Sequence, residues 1–226
     1  MKLLRLLILI LISGSAAAQF NPDTVKAGMF DNGKMWTFDF PPVEYFEKTY
    51  GFKPDQEWFD GVRMSALRFA SWCSASFVSA NGLVMTNHHC SRDVSLKVQK
   101  EGENFMKEGW YAKTLEDERK VDGLYVDQLV MITDITDRVQ KAFNLGKTDL
   151  EKVQLRDKEF EAIKAEFSEQ ESWKGLVLQT MTFFQGGKYS LYGFKRFNDV
   201  RLVVIPELAL GFFGEIMTTS PIHVIV

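Results

Sequence analysis

The stretch CSASFVSANGLVMTNHHC, residues 73–90, decides how the chain is read. Residues 74–79 and 83–86 have the composition of two strands, and Asn81-Gly82 lies between them. Asn-Gly predicts a two-residue type I′ hairpin turn, because both central residues of that turn need positive φ. The second strand runs directly into His88, His89 and Cys90. A neutral imidazole titrates near ~6.5, so it can take up and return a proton at working pH. A histidine held at the end of a rigid hairpin is therefore a candidate catalytic base.

Two plainer readings compete with that one. A His-His pair at a strand end can be a hydrogen-bonding pair with no chemistry. Two histidines and a cysteine also suggest zinc. Adjacent residues of an extended chain point to opposite faces, however, so His88 and His89 would not readily bind one ion together. No H-x-x-x-H, C-x-x-C or acidic cluster supplies further ligands.

The same stretch resembles the chymotrypsin-like proteases, in which a cysteine, a strand, a turn and a strand lead into T-x-x-H-C. More closely, it is similar to the bacterial serine dipeptidyl-peptidases of the family that includes dipeptidyl-peptidases 7 and 11. In that family the histidine immediately before the second cysteine is the triad base. The resemblance thus implies that His89 is catalytic, that Cys73 and Cys90 form a disulfide, and that His88 is a neighbour facing away. It continues through Met35-Trp36 near the mature N-terminus and through FNDVRLVVIPE and GFFG, residues 197–207 and 211–214. The implied fold is mainly β with helical excursions: a chymotrypsin-like β-barrel catalytic domain, incomplete, with the first barrel and the start of the second.

The chain has 226 residues and a net charge of −3, and no basic run points to nucleic acid as a partner. Residues 1–18 read as a secretory signal. Lys2 and Arg5 precede an apolar core at 6–12, and Ala16-Ala17-Ala18 offers a cleavage site before Gln19. That core is too short for a membrane span of about 20 residues. The mature protein is thus expected to be periplasmic, at the cell surface or secreted. Two cysteines in an oxidising compartment are expected to pair, and a hairpin brings its flanking cysteines within bridging distance.

Along the rest of the chain, residues 20–61 are rich in aromatics and prolines and read as an arm packing its rings on the barrel, with a short helix at 43–50. A peptide-binding aromatic surface is the alternative. A helix is expected at 93–100, a surface excursion at 104–118 anchored by Gly109-Trp110-Tyr111-Ala112, and one or two strands from Gly123 onward, split near Asp127. Thr148, Asp149 and Glu151 open a long helix near 148–172, with Val153, Phe160, Ile163 and Phe167 at helical spacing. Strands at 176–184 and 189–194 form a second hairpin, and 200–205 reads as a buried strand ending at Pro206.

A serine protease also needs a nucleophile and an aspartate. No G-x-S-G turn occurs here. In the family the serine follows an inserted helical domain, and the aspartate also comes later. Neither Asp134 nor Asp199 lies in the family's matching motif. The domain reading is therefore a signal at 1–18, the N-terminal part of the catalytic domain at 19–214, and a tail at 215–226 in a shifted reading frame. After G-F-F-G the family continues G-D-x-D-N-F-T-Y-P-R. The fixed codon bases of Gly214 to Val224, read in the shifted frame, permit that segment residue by residue. On this reading His223 is a chance residue.

Three functions stand: an exported serine dipeptidyl-peptidase acting on oligopeptide N-termini, present as a truncated, inactive piece; a non-catalytic exported binding protein on a protease-like barrel; and a His/Cys metal protein. The first implies no cofactor or metal, and it leaves a homodimer open for the full-length family.

Overall fold

The structure is a computed structural model and describes residues 36–213 and 222–225. The expected signal and the first part of the aromatic arm, residues 20–35, lie outside the described residues. Residues 36–41 belong to a compact unit that reaches Pro41, and a bridge between Thr37 and Phe40 closes a small turn there. The described residues from Pro42 onward belong to the second unit.

That unit opens with helices α1 (Val43–Tyr50) and α2 (Gln56–Ser65). Gly51, at φ 65°, ends α1 in the left-handed region that glycine enters without strain. Asp55 caps α2 by accepting from Trp58 N at 2.9 Å. Rings expected in the arm pack on one another: Phe46 of α1 makes edge contacts with Trp58 and Phe59 of α2 and a tilted contact with Tyr50 of its own helix.

Strands β1 (Ala66–Phe69), β2 (Cys73–Phe77) and β3 (Leu83–Thr86) follow as an antiparallel meander. Then come α3 (His88–Ser95), α4 (Phe105–Glu108), β4 (Trp110–Tyr111), β5 (Arg119–Lys120) and β6 (Val126–Asp134). A helical hairpin, α5 (Thr136–Phe143) and α6 (Asp149–Ser168), precedes β7 (Val177–Phe183), β8 (Lys188–Phe197) and β9 (Arg201–Ile205). Helix α7 (Leu208–Phe213) and strand β10 (Ile222–Ile225) end the described chain.

All pairings are antiparallel, in the order β4-β9-β10-β3-β2-β1-β6-β8-β7, with β5 beside β9. One core lies among β1, β3, β6 and β9 and is built on Phe69, Val84, Val126, Leu202 and Ile205. The other joins α5 and α6 to β8 through Val139, Ile163, Trp173 and Leu191. Gly193 lets Trp173 press against the sheet, since a Cβ there would come within 2.9 Å of the indole. The architecture is mainly β with helices, and its antiparallel sheet fits part of a chymotrypsin-like barrel domain, as expected.

Several local readings need correction. The hairpin does not use a two-residue type I′ turn. Gly82 has φ 83°, but Asn81 is not at positive φ. The strands close at Val78 N to Leu83 O, and the Ser79 hydroxyl accepts from Leu83 N and Asn81 N inside a longer loop. A local Ser side chain thus does what the second positive φ would have done. The helix expected at 93–100 starts five residues earlier, at His88. Strand β6 is not split at Asp127; its irregularity comes between Leu129 and Met131. Helix α6 begins as expected with a Thr148–Glu151 capping box, but it stops at Ser168. In the tail, Ile222–Ile225 pairs with both β3 and β9. A β-branched run beside unpaired edges can pair through backbone groups whatever its coding history.

Candidate active site

The site is built where β3 passes into α3. Thr86 donates its hydroxyl to Ser74 O at 2.8 Å, which ties the end of β3 to the start of β2. One residue later Asn87 turns the chain, and the two histidines fall in the first turn of α3. They therefore do not alternate as strand residues. On a helix they diverge by about 100° instead, and the outcome is the same separation of environments. His88 is buried, whereas His89 is exposed.

Cys73 and Cys90 are joined in a disulfide, with Cα atoms 6.0 Å apart across a separation of 17 residues. The bond pins the helical turn that carries His89 to β2. A ring nitrogen of His89 and the two sulfurs all lie within 4.8 Å of one another. Trp72 Nε1 donates to Cys90 O at 3.1 Å, adding a second tie from the β1–β2 corner. Because both sulfurs are consumed in the disulfide, this cluster offers a metal one imidazole and no thiolate. The donor set does not fit zinc.

His88 is held on the opposite side. Its Nε2 donates to Pro206 O at 3.2 Å, which assigns the proton to that nitrogen. Burial pushes its pKa below the ordinary value; the Pro206 bond opposes this, and nearby Arg92 and His89 add to the lowering. Asp134 and Asp199 are engaged elsewhere. Asp134 accepts from Thr136 N at 2.8 Å and pairs with Lys188, while Asp199 makes a two-pronged bond to Arg201.

One charged group escaped the sequence reading. Asp127 is 1% exposed and lies between two arginines, accepting from Arg68 at 2.7 Å and from Arg196 at 2.7 and 2.9 Å. Burial alone would raise its pKa, but the two guanidiniums outweigh that and hold it below the ordinary value. The register Arg68–Asp127–Arg196 runs straight across β1, β6 and β8. The signal was present as three charges in separate apolar runs, but only the strand order brings them into one row.

A family model described as Peptidase S46 matches residues 30–217. The chain belongs to the peptidase S46 family. Its relatives include dipeptidyl-peptidase 7 of Capnocytophaga gingivalis, 32% identical over 155 residues, a match covering 69% of this chain and 21% of the relative. Another is the Asp/Glu-specific dipeptidyl-peptidase of Flavobacterium psychrophilum, 29% identical across 95% of this chain and 29% of the relative. The fold is also similar to DPP11 of Porphyromonas endodontalis solved with the dipeptide Arg-Glu. That match has a TM-score of 0.67 and 24% identity, and it covers 85% of this chain and 31% of the other. The chain thus spans less than a third of the length of these S46 relatives. Among the described residues, no helix is long and apolar enough to cross a membrane.

Proposed function

We propose that this chain is the N-terminal part of the catalytic domain of an exported serine dipeptidyl-peptidase and that His89 is its general base. The observation that carries the reading is the contrast within the histidine pair. His89 presents an exposed imidazole on a turn fixed by the Cys73–Cys90 bond, while its neighbour is buried and already bonded. A general base needs an accessible ring at a fixed position more than it needs any particular sequence neighbour. Family membership and the dipeptidyl-peptidase relatives support the same assignment.

In this mechanism His89 removes the proton of a serine hydroxyl as it attacks the scissile carbonyl, and then returns it to the leaving amine. The serine and the aspartate that orients the imidazole come from later parts of the family's sequence. The substrates are oligopeptides with free N-termini. Without the nucleophile, the 226-residue chain alone forms no acyl-enzyme and releases no dipeptides. The tail at 215–226 belongs to this proposal as a shifted-frame translation, and resequencing across the Gly214 codon tests it. Third bases that fail to spell D-N-F-T-Y-P-R in the shifted frame would end that part of the reading.

The assignment of His89 is tested in the full-length protein, with the frame restored, on dipeptidyl chromogenic substrates. His89→Ala is expected to lower kcat by about a thousandfold or more, as removal of a triad member does. Near-normal turnover by that variant would overturn the assignment.

A further inference from the structure

The proposed chemistry gives His88 no role, yet His88 is the more firmly held of the two histidines. The residue is 5% exposed, and its Nε2 is bonded to Pro206 O at 3.2 Å. On the other side the backbone of α7 lies against the ring. A Cβ built on Gly211 would fall 2.7 Å from His88 Cγ and 2.8 Å from Nδ1, closer than side chains tolerate. The imidazole is thus clamped between the carbonyl that follows β9 and the one residue type that leaves it room.

The clamp matters because of what lies next to it. The first turn of α3 is weakly capped, since Asn87 makes no side-chain bond to it. Two residues anchor that turn, and they flank His89 in sequence: His88, whose ring is tied to residues 206–211, and Cys90, tied to β2 through its sulfur and to Trp72 through its carbonyl. One tether leaves a helical turn free to swivel, whereas two on either side of a residue set the direction of its side chain.

We infer that His88 is a positioning residue, a latch between the first turn of α3 and the β9–α7 connection that presets the His89 imidazole. This rests on the reading of His89 as general base. A base displaced by about 1 Å can lose about a hundredfold in rate with substrate binding largely intact. His88 therefore acts on kcat through His89, without touching the reacting atoms.

The first arm of the test is kinetic and uses the full-length protein. His88→Ala should lower kcat about 10- to 100-fold while KM stays within about twofold. His88→Gln, which offers an amide N–H at a similar reach, should recover most of the loss. Gly211→Ala should also lower kcat, although alanine is the better helix former, so the loss would report contact with the ring. Combined with His88→Ala it should cost little more than His88→Ala alone, because both act through one contact. Unchanged kcat in His88→Ala, a change confined to KM, no rescue by glutamine, or fully multiplicative losses would each overturn the latch.

The second arm needs no activity. In the 226-residue chain, imidazole 15N NMR should show His88 as the Nε2-protonated tautomer. Carbethoxylation of His89 should change at least about threefold in rate when His88 becomes alanine with the disulfide intact. A full-length protein with no peptidase activity would remove the general-base reading and leave this arm to decide the latch. A His88 ring protonated on Nδ1, or a His89 rate indifferent to His88, would end it.

Discussion

The two cores of this chain are held by different means. Around β7, β8 and the α5–α6 hairpin, stability comes from regular elements. A 20-residue helix opens with a capping box, and a long strand pair presents Leu191 to Ile163 and Trp173. Around β1–β3, α3 and β9 the elements are short and the connections long. There the backbone is held by single strong ties: the disulfide, the His88–Pro206 bond, and Arg119. The Arg119 guanidinium bridges Glu103 at 2.6 Å and Val98 O at 2.9 Å and lies 4.5 Å from the centre of the Trp110 ring. In the region carrying the candidate base the hydrogen-bonded ladders are shorter, and long connections leave the placing of side chains to contacts outside the sheet. Point-to-point ties then restore its rigidity.

Breaking the disulfide should have the largest effect on this contrast. Closing a loop of 17 residues stabilises by about 3 kcal/mol on the chain-entropy account. Cys73→Ser with Cys90→Ser should lower stability by about that amount. Hydrogen exchange should rise in β2, β3 and α3 while β7, β8 and α6 keep their protection. Uniform loss of protection would show that the two regions do not differ in the way described.

Asp127→Asn attacks the seam between the regions, because the Arg68–Asp127–Arg196 row crosses β1, β6 and β8. It removes a buried charge that two guanidiniums need. Both arginines keep roughly a third of their side-chain surface in solvent, 32% and 29%, which moderates the loss. We expect about 2 kcal/mol by chemical denaturation, with both regions affected together. A neutral substitution would mean that solvent already screens the row.

Thr148→Ala should cost about 1 kcal/mol, the worth of a capping side chain, and it should act on the α6 region alone. Thermal melts of the variant beside Thr148→Ser, which keeps the oxygen, check this. The serine variant should recover most of the loss.

The smallest effect is a pH dependence confined to the irregular region. Hydrogen bonding from Arg119, with further help from the Lys100 backbone N–H, pulls the Glu103 carboxyl down to about 2. A carboxyl lowered on folding stabilises fully above its unfolded value, near ~4.3, and loses that contribution as pH falls toward 2. NMR titration should place Glu103 near that value in the native protein, and Arg119→Lys should return it toward the ordinary range. An ordinary titration in the unaltered chain would show that the bridge is not formed in solution.

Much of the region around β7, β8 and α6 was legible in sequence because its signals are local. Thr148 to Glu151 is a cap that needs no partner from elsewhere, and the alternating runs on either side of the β7–β8 turn show the hairpin locally. The N-terminal helix at 43–50 was equally local and is found at those residues. In the site region the strand limits were readable, but the turn type was not. The Ser79 hydroxyl satisfies the loop donors and removes the need for positive φ at Asn81. The pattern T-N-H-H-C pointed to His89 and the cysteines, yet it placed them on a strand. Asn87 is a favoured residue type at a helix N-cap, but it makes no side-chain bond to the helix that begins at His88, and no apolar periodicity follows to mark it.

What the sequence by itself determined, then, is the set of groups: an imidazole beside a cysteine pair, a capped helix, and apolar runs spaced for an antiparallel sheet. Those follow from side-chain chemistry and near-neighbour geometry. Which histidine is buried, what clamps it, and how Arg68, Asp127 and Arg196 meet were decided by tertiary structure. Each of those contacts joins residues 59 or more positions apart. Their free energy exists only once the sheet order has brought the partners together and excluded water from between them.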